Sequence, residues 1–575
     1  MDISKTQFKN YCKCKSYYAL DTLYYDHKIN DEEKENMLYF LNKMFNEAGD
    51  DMVKIPNEQL EAMLTYYQET ERLALEEASK TFKKKFEYKE KTTEQKYFSI
   101  TDDFGNTLYT YLDGYNEDNK ITIIEVKATT SKKFLKLGYT KNNVLYPLFE
   151  KNDNILSLKK NLSEKDIRPL NRLYDINSDC GKYMFDFGIT KYIVTQSLKK
   201  AGINKEVNYY LGILNSDYIK DINNKETEKL ICFVDCTEIL KDYIPIIHNL
   251  YLEILEYTKT KEYNIVQKSE YLNICNNCEY FDICHENLTQ KNSILKFIGK
   301  KGVGKLKIKD LIDLGYYNLK DIPLNLIDDK NNVIQRNAID NHKEYIDKER
   351  IKKEIDNLEY PIYHLDFEGF NSPIPRFFGE TPYTQSLFQF SIHIEKEPGI
   401  CDIDKDNYFF LPHDFEDHRE ELIKEMIKTI DLTNGGTVLV YNKTYESTQI
   451  KKLAQIFPKY SKELLLINSK IVDLLEIIKG KKSEGINYYH EDLEQSFSIK
   501  KVLPVFSDLS YKNLDVKNGN EAIVEYSKFK YLPKEDIEES RKKLLKYCGL
   551  DTYSMHIILK ELRRKVRWVM KKKTK

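Results

Sequence analysis

A chain of 575 residues with 41% hydrophobic content carries more apolar sequence than one core uses, since single cores stop growing at roughly 250–300 residues, so at least two domains are expected. A formal charge of −2, from 90 basic and 92 acidic residues, excludes a uniformly basic nucleic-acid-binding chain. Ten cysteines without a secretion signal read as thiols or metal ligands in a reducing cytoplasm rather than as a disulfide framework.

The start, Met1-Asp2-Ile3-Ser4-Lys5-Thr6, has no apolar core, and the run 243–255 is broken by His248, Asn249 and Glu253, so neither a signal peptide nor a membrane span is expected. Helical patterning covers 31–82, strand-like runs cover 95–126, and another strand covers 207–214, which makes 1–290 a mixed α/β domain. Residues 291–358 are lysine-rich and punctuated by the turns Ile298-Gly299, Gly302-Val303-Gly304 and Leu314-Gly315; they are expected to form a helical connector. A second α/β domain, 359–575, opens on a strand at 360–370 and closes on a helix at 533–564. Nucleic acid would be held by lysine patches at 80–89, 199–205, 300–309 and 563–575, each of which reads equally as a solvated face. The 44 tyrosines offer stacking surfaces for bases or reflect AT-rich coding.

Three constellations carry chemistry. In Ile121-Thr122-Ile123-Ile124-Glu125-Val126-Lys127, side chains alternate across a strand, so Glu125 and Lys127 share a face. Tyr109-Thr110-Tyr111-Leu112-Asp113-Gly114 reads as a second strand that delivers Asp113 at its end. Phosphodiester hydrolysis needs a cation that polarises the phosphoryl oxygen and acidifies water, and hard Mg2+ or Mn2+ prefers carboxylate oxygens such as those of Asp113 and Glu125. Lys127 would orient the attacking water and stabilise charge on phosphorus. Taken alone, Glu125 and Lys127 read first as an exposed ion pair at a strand end. The stretch resembles the PD-(D/E)xK motif of RecB-type nucleases. That resemblance implies that Gln196, in Ile193-Val194-Thr195-Gln196-Ser197-Leu198, faces the site, with Lys200 standing where the family has tyrosine. It also implies an upstream acidic ligand on the helix at 71–82, Glu76 or Glu77.

Cys275-x2-Cys278-x5-Cys284 gathers three thiols, and Cys12 and Cys14 offer a fourth from the N-terminus. Zinc favours paired CxxC halves, whereas one triplet plus a remote partner suits an iron-sulfur cluster; His285 keeps zinc open. The pattern resembles the iron-sulfur clasp of AddB and of CRISPR adaptation nucleases. Aligning Ser4-Lys5-Thr6-Gln7-Phe8 with that family's opening selects Cys14, and the resemblance implies a 4Fe-4S cluster on Cys14, Cys275, Cys278 and Cys284 that ties the ends of the domain together. Cys180, Cys232, Cys236, Cys401 and Cys548 read as core or incidental thiols.

In Tyr363-His364-Leu365-Asp366-Phe367-Glu368-Gly369-Phe370, Asp366 and Glu368 share one strand face. Far downstream, Tyr547 and Asp551 share a helix face at i and i+4. Between them a strand at 437–441 runs into Asn442-Lys443-Thr444-Tyr445-Glu446 at a helix start. Together the segments resemble the DEDD signature of 3′-5′ exonucleases with a ribonuclease-H-like fold. This implies that Asp366, Glu368, Glu446 and Asp551 bind two Mg2+ or Mn2+ ions while Tyr547 orients water. Glu446 stands where that family has aspartate, in an element one residue shorter. Asp473 is an accessory candidate.

Nearly the whole chain resembles a bacterial family catalogued as domain of unknown function 2779, through Ser498-Ile499-Lys500-Lys501-Val502-Leu503-Pro504, Leu509-Ser510-Tyr511 and Tyr547-Cys548-Gly549-Leu550-Asp551-Thr552. The connector, from Phe297 through Asp321-Ile322-Pro323, is similar to a helix-hairpin-helix element, whose glycine turns present amides to phosphate; an ordinary interdomain loop is the equal alternative. The expected function is a metal-dependent nuclease acting on single strands or ends of DNA in repair or defence. RNA trimming by an exoribonuclease is one alternative, and a nucleic-acid-binding scaffold with one or both sites inactive is another. No Gly-x4-Gly-Lys-(Ser/Thr) loop is present, so a helicase motor would come from a partner.

Overall fold

Residues 2–20, 57–221, 229–259, 275, 278, 280–299, 302–481 and 483–567 are described by a computed structural model of the chain. The helical stretch expected at 31–56, and the patch residues 300–301 and 568–575, lie outside them. The protein is mixed α/β and divides into two units, Met1–Glu270 with Ile274–Cys284 and Ser372–Thr384 in one, and Tyr271–Asn273, His285–Asn371 and Gln385–Lys575 in the other. No helix among the described residues is long and apolar enough to cross a membrane.

The first unit starts with β1 (Asp2–Ser4) and α1 (Lys5–Lys13). A capping box fixes where strand becomes helix: Ser4 Oγ accepts from Gln7 N at 3.1 Å, and Gln7 Oε1 accepts from Ser4 N at 2.9 Å. Then come α2 (Asn57–Phe82), β2 (Lys96–Thr101), β3 (Thr107–Leu112), β4 (Gly114–Glu117), β5 (Ile121–Thr130), the hairpin β6 (Gly138–Lys141) and β7 (Val144–Pro147), β8 (Phe149–Asn152) and β9 (Ile155–Leu158). Helix α3 (Gly181–Lys200), β10 (Val207–Leu214), β11 (Ile231–Asp235) and α4 (Tyr243–Lys259) complete it. A six-stranded sheet of order β4-β5-β10-β11-β9-β8 forms the centre, beside a three-stranded sheet β1-β3-β2. The first five residues of β5 are all buried, as a central strand covered on both faces requires. Helix α3 is apolar around most of its circumference and is accordingly buried along most of its length. A Cβ on Gly188 would meet the Tyr243 ring at 2.8 Å, so glycine is what lets α3 and α4 approach.

Ser372–Thr384 is knitted into this first unit although it joins two strands of the second. Gly379 N donates to Lys220 O at 2.8 Å, and Lys220 N donates to Glu380 O at 2.9 Å. Lys220 Nζ donates to Arg376 O at 2.9 Å, while Ile374 and Tyr383 pack on the core around Leu75, Ile124 and Leu214. Beside the expected bounds 1–290, 291–358 and 359–575, the two compact units meet between Cys284 and His285, and Ser372–Thr384 returns to the first unit.

The second unit contains α5 (Lys330–Asn341), β12 (Tyr345–Ile346), β13 (Ile362–Asn371), β14 (Gln385–Glu395), β15 (Asn407–Phe410), β16 (Thr437–Val440), α6 (Thr444–Ile456), β17 (Ile471–Asp473), β18 (Tyr488–Tyr489), α7 (Ile499–Phe506) and α8 (Lys534–Lys565). Its sheet has the order β15-β14-β13-β16-β17. β14 runs antiparallel to both neighbours, and β13, β16 and β17 run parallel. The stretch expected to be a connector is part of this unit instead. Gln335 Nε2 donates to Lys296 O at 2.8 Å and Glu494 O at 3.2 Å, Arg336 donates to the carbonyls of Leu319, Lys320 and Ile322, and β12 pairs with β18. Within it, Gly299, Gly302 and Gly304 adopt positive φ before the short helix Ile308–Asp313.

Candidate active sites

Asp113 occupies the single position between β3 and β4, and its Oδ2 accepts the Val126 amide at 2.7 Å, which holds it against β5 between Glu125 and Lys127. Glu125 Oε1 accepts from Lys5 Nζ at 2.8 Å and from Lys127 Nζ at 3.0 Å. Lys127 Nζ also lies 3.1 Å from Asp186 Oδ2 on α3, and Lys5 and Lys9 of α1 lie 3.5 Å from Asp186 Oδ2 and Oδ1 respectively. Glu125, Lys127 and Asp186 are 2%, 4% and 3% exposed, so the reading of Glu125 and Lys127 as a surface ion pair is excluded.

Burial pushes the Asp113 carboxyl up to about 7, with the Glu125 charge adding to it. Burial likewise lifts Glu71 to about 9, reinforced by Asp113 and Glu125. Desolvation opposes charge on Lys127, but Asp186, Glu125 and Asp113 outweigh it and hold the ammonium well above its usual range. The same lysine cluster outweighs burial at Asp186 and holds that carboxyl well below the ordinary carboxylate range.

Glu71 is thus an α2 carboxylate that feels the charges of Asp113 and Glu125, while the expected Glu76 and Glu77 have other partners. Glu76 pairs with Arg72 at the surface, and Glu77 accepts from Asn154 Nδ2 at 2.9 Å. The signal was the helical period: Glu71 lies one turn before Leu75, which is buried with Ala74 and Ala78. Gln196 is half-buried, ten residues along α3 from Asp186, a rise of about 15 Å. Asp186, not Gln196, is the α3 residue in contact with Lys127.

Cys14, Cys278 and Cys284 pack against one small cluster formed by Tyr17, Leu20 and Tyr280. Burial, with smaller contributions from charge on Cys275, Cys14 and Cys284, raises the Cys278 thiol to about 11. Cys14 Sγ accepts the Tyr17 amide at 3.4 Å. Cys12 belongs to the main core instead, where burial and Glu253 push it to about 12.

In the second unit, Asp366 and Glu368 lie on one face of β13, Glu446 is in the first turn of α6, and Tyr547 and Asp551 lie on α8. Burial, then the charges of Asp551, Glu368 and Glu446, holds Asp366 well above the carboxylate range. Burial and Asp551 lift Glu368 to about 8, against the Lys500 charge and a hydrogen bond from Tyr547. Asp551 rises to about 6 by burial, against hydrogen bonds from Tyr511 and Tyr547 and the charge of Lys500; the Tyr511 bond to Oδ1 is 2.6 Å. Glu446 is lifted to about 8, mainly by burial. A Cβ on Gly369 would meet the Tyr445 hydroxyl at 2.7 Å, so this glycine makes room beside Glu368. Asp473 plays a different part from the carboxylates: it caps backbone, accepting the amides of Asn442 at 2.9 Å, Lys443 at 3.0 Å and Leu475 at 2.9 Å. It thereby fixes the turn that presents Glu446.

Two features were not foreseen. Cys548, read as an incidental thiol, offers Sγ within 4.8 Å of ligand oxygens of Asp366 and Glu368. His364, Glu395 and His556 form a second metal-capable group, fully buried. There His364 Nε2 and His556 Nδ1 meet Glu395 Oε2 at 3.0 and 3.1 Å, and Arg563 occupies Oε1, so the group is an internally neutralised network rather than an anionic site.

Residues 363–498 match a family model described as a domain of unknown function, DUF2779. The chain is also 29% identical over 172 residues to the uncharacterized protein UU173 of Ureaplasma parvum serovar 3 (strain ATCC 700970), a match covering 27% of this chain and 24% of that protein. The chain thus spans about a quarter of the length of this curated relative. No solved structure matches it. The likeness expected over nearly the whole sequence narrows to one stretch: residues 363–498, with Asp366, Glu368 and Glu446 among them, carry a DUF2779 domain, while Tyr547 and Asp551 lie beyond it.

Proposed function

We propose that the protein is a metal-dependent nuclease with two centres, acting on DNA ends or single strands. The observation that carries this reading is the convergence of Asp366, Glu368, Glu446 and Asp551, from three separate segments, on one buried cluster bonded by two tyrosine hydroxyls. Burial raises the proton affinity of all four carboxylates, and the neighbouring acids raise that of Asp366 and Glu368 further, a cost that divalent cations relieve. Glu446 Oε2 and Glu125 Oε2 are buried with no hydrogen-bond partner among the described residues, which fits open ligand positions in both units. The sheet order β15-β14-β13-β16-β17 with only β14 reversed supports a ribonuclease-H-like second unit. The arrangement of Asp113, between β3 and β4, against Glu125 and Lys127 on β5 supports a RecB-like first unit.

Asp366, Glu368, Glu446 and Asp551 would hold Mg2+ or Mn2+ in the second unit, and Asp113, Glu125 and Glu71 in the first. The bound ions supply a Lewis acid for the phosphoryl oxygen and an acidified water. Tyr547, bonded to Glu368 and Asp551, is placed to orient that water. Lys500, 5.3 Å from the Tyr547 ring, sets a positive charge beside the carboxylates where a phosphate would enter. Lys127 offsets the charge of Glu125 and Asp186 and leaves an ammonium at the first site. Cys14, Cys275, Cys278 and Cys284 would hold a 4Fe-4S cluster as a structural clasp.

The test is cleavage of end-labelled single-stranded DNA, duplex DNA and RNA by anaerobically purified protein with Mg2+ or Mn2+, beside Lys127→Ala and Asp551→Ala. Loss of cleavage in one variant assigns the chemistry to that unit. Cleavage of RNA alone selects the exoribonuclease reading, and metal-dependent cleavage of none of the substrates selects the binding scaffold. Iron and sulfide in wild type but not in Cys14→Ser would support the clasp, whereas stoichiometric zinc in colourless protein would replace it.

A further inference from the structure

Cys548 lies three residues before Asp551 on α8, which puts both side chains on the face that carries Tyr547. It is 0% exposed, and its thiol donates to Asp366 Oδ2 at 3.6 Å. Sγ and one oxygen each of Asp366 and Glu368 lie within 4.8 Å of one another, close enough for one ion to reach all three with small side-chain movements. A merely space-filling cysteine would meet hydrocarbon alone; this one donates to Asp366 and lies beside Glu368. Independently, Glu446 Oε2, on a residue 2% exposed, has no hydrogen-bond partner among the described residues, and the charge of Glu446 reaches Asp366 and Glu368.

We propose that Cys548 is a metal ligand, and that with Asp366 and Glu368 it gives this centre a preference for a thiophilic divalent cation, Zn2+ in kind, over Mg2+. The inference rests on reading the cluster as a cation site, and adds a ligand that an all-carboxylate set lacks. Oxygen-only sets suit Mg2+ and Mn2+, whereas a thiolate among oxygens moves selectivity towards zinc-like ions. Zinc bonds of about 2.3 Å to sulfur and about 2.0–2.2 Å to carboxylate oxygen fit a triangle of this size after slight contraction. Coordination forms a sulfur–metal bond and releases the thiol proton to solvent, so no oxidant or reductant is involved.

The full chain is titrated with Cd2+ while the ultraviolet sulfur-to-cadmium charge-transfer band is recorded, in wild type and in Cys548→Ser. Taking the difference between the two removes the contribution of every other cysteine. Even outer-shell changes cost about 10- to 100-fold in metal affinity, so loss of the sulfur should remove one thiolate's share of the band and weaken the corresponding Cd2+ binding by about tenfold or more. Identical bands and affinities in the two proteins would overturn the proposal, even if both cleave nucleic acid. Loss of the band in protein that cleaves nothing would support it while the nuclease reading falls. If Cys548→Ser does not fold, Asp366→Asn with Glu368→Gln keeps the sulfur and removes its oxygen partners. The same band should then weaken, and its persistence at unchanged affinity would overturn the assignment.

Discussion

The phenolic hydroxyl of Tyr383 donates to the backbone carbonyl of Ala128, 255 residues earlier and one position beyond Lys127. Tyr383 belongs to the segment Ser372–Thr384, which leaves β13 shortly after Asp366 and Glu368 and returns to β14, yet packs on the core beneath β5. The first unit is thus completed by residues encoded in the middle of the second. Tyr383→Phe keeps the ring packing and deletes one hydrogen bond to a half-buried carbonyl, which should cost about 1 kcal/mol. Urea unfolding should show that loss. An unchanged midpoint would mean that this hydrogen bond contributes nothing to stability.

Asp186 faces Lys127, Lys5 and Lys9 in a site closed to solvent. Asp186→Ala removes the buried carboxylate that three lysine ammonium groups face and should destabilise by about 3–5 kcal/mol. Glu76→Ala breaks only the exposed pair with Arg72 and should cost less than about 1 kcal/mol. Thermal unfolding of the two variants measures the contrast. Equal small losses would show that the lysines relax to water when Asp186 is removed.

Period and spacing revealed the strands and the separated acids because those follow from local alternation: β10 was legible as residues 207–214, and the pairs Glu125/Lys127 and Asp366/Glu368 as same-face neighbours. What stayed hidden depends on contacts between distant parts of the chain. Asp186 sits in an apolar helix with no neighbouring acid to draw notice, and only the packing of α1 on α3 brings Lys5 and Lys9 to it. Cys548 looked incidental because a thiol's role is set by what surrounds it, here β13 from 182 residues earlier. Lysine richness in 291–358 suggested a linker, but Gln335 and Arg336 on α5 bind carbonyls of neighbouring loops and fix that stretch in place.

Glu395 is a carboxylate with several donors and no exposure: His364, His556, Arg563 and the Gly399 amide at 2.7 Å. Burial alone would raise its proton affinity, but these donors outweigh burial and hold it far below the ordinary carboxylate range. A depressed folded-state value contributes stability that is present above the unfolded value, near about 4.3, and lost as pH falls below it. Glu395→Gln removes the buried charge that Arg563 Nη1 meets and should cost about 3–5 kcal/mol at neutral pH. The variant should also lose stability less steeply than wild type on acidification below about pH 4.5. Melting temperatures from pH 7 to pH 3 test both, and parallel acid limbs would show that Glu395 is not the group that titrates.

Asp366, Glu368, Glu446 and Asp551 have the opposite sign. Glu368 and Glu446 are lifted to about 8 and Asp551 to about 6, so without metal the folded protein holds protons that the unfolded chain has already released. Stability falls with rising pH wherever the folded state binds more protons, so the metal-free protein should weaken from about pH 5 to about pH 8. Divalent cations compete with those protons and bind the ionised carboxylates, so the rise in melting temperature on adding Mn2+ should be larger at pH 8 than at pH 5.5. Asp551→Asn removes one negative charge from the cluster, which should flatten the alkaline decline of the metal-free protein and shrink the Mn2+ effect. A Mn2+ shift independent of pH, or undiminished in Asp551→Asn, would place the stabilising ion elsewhere on the chain.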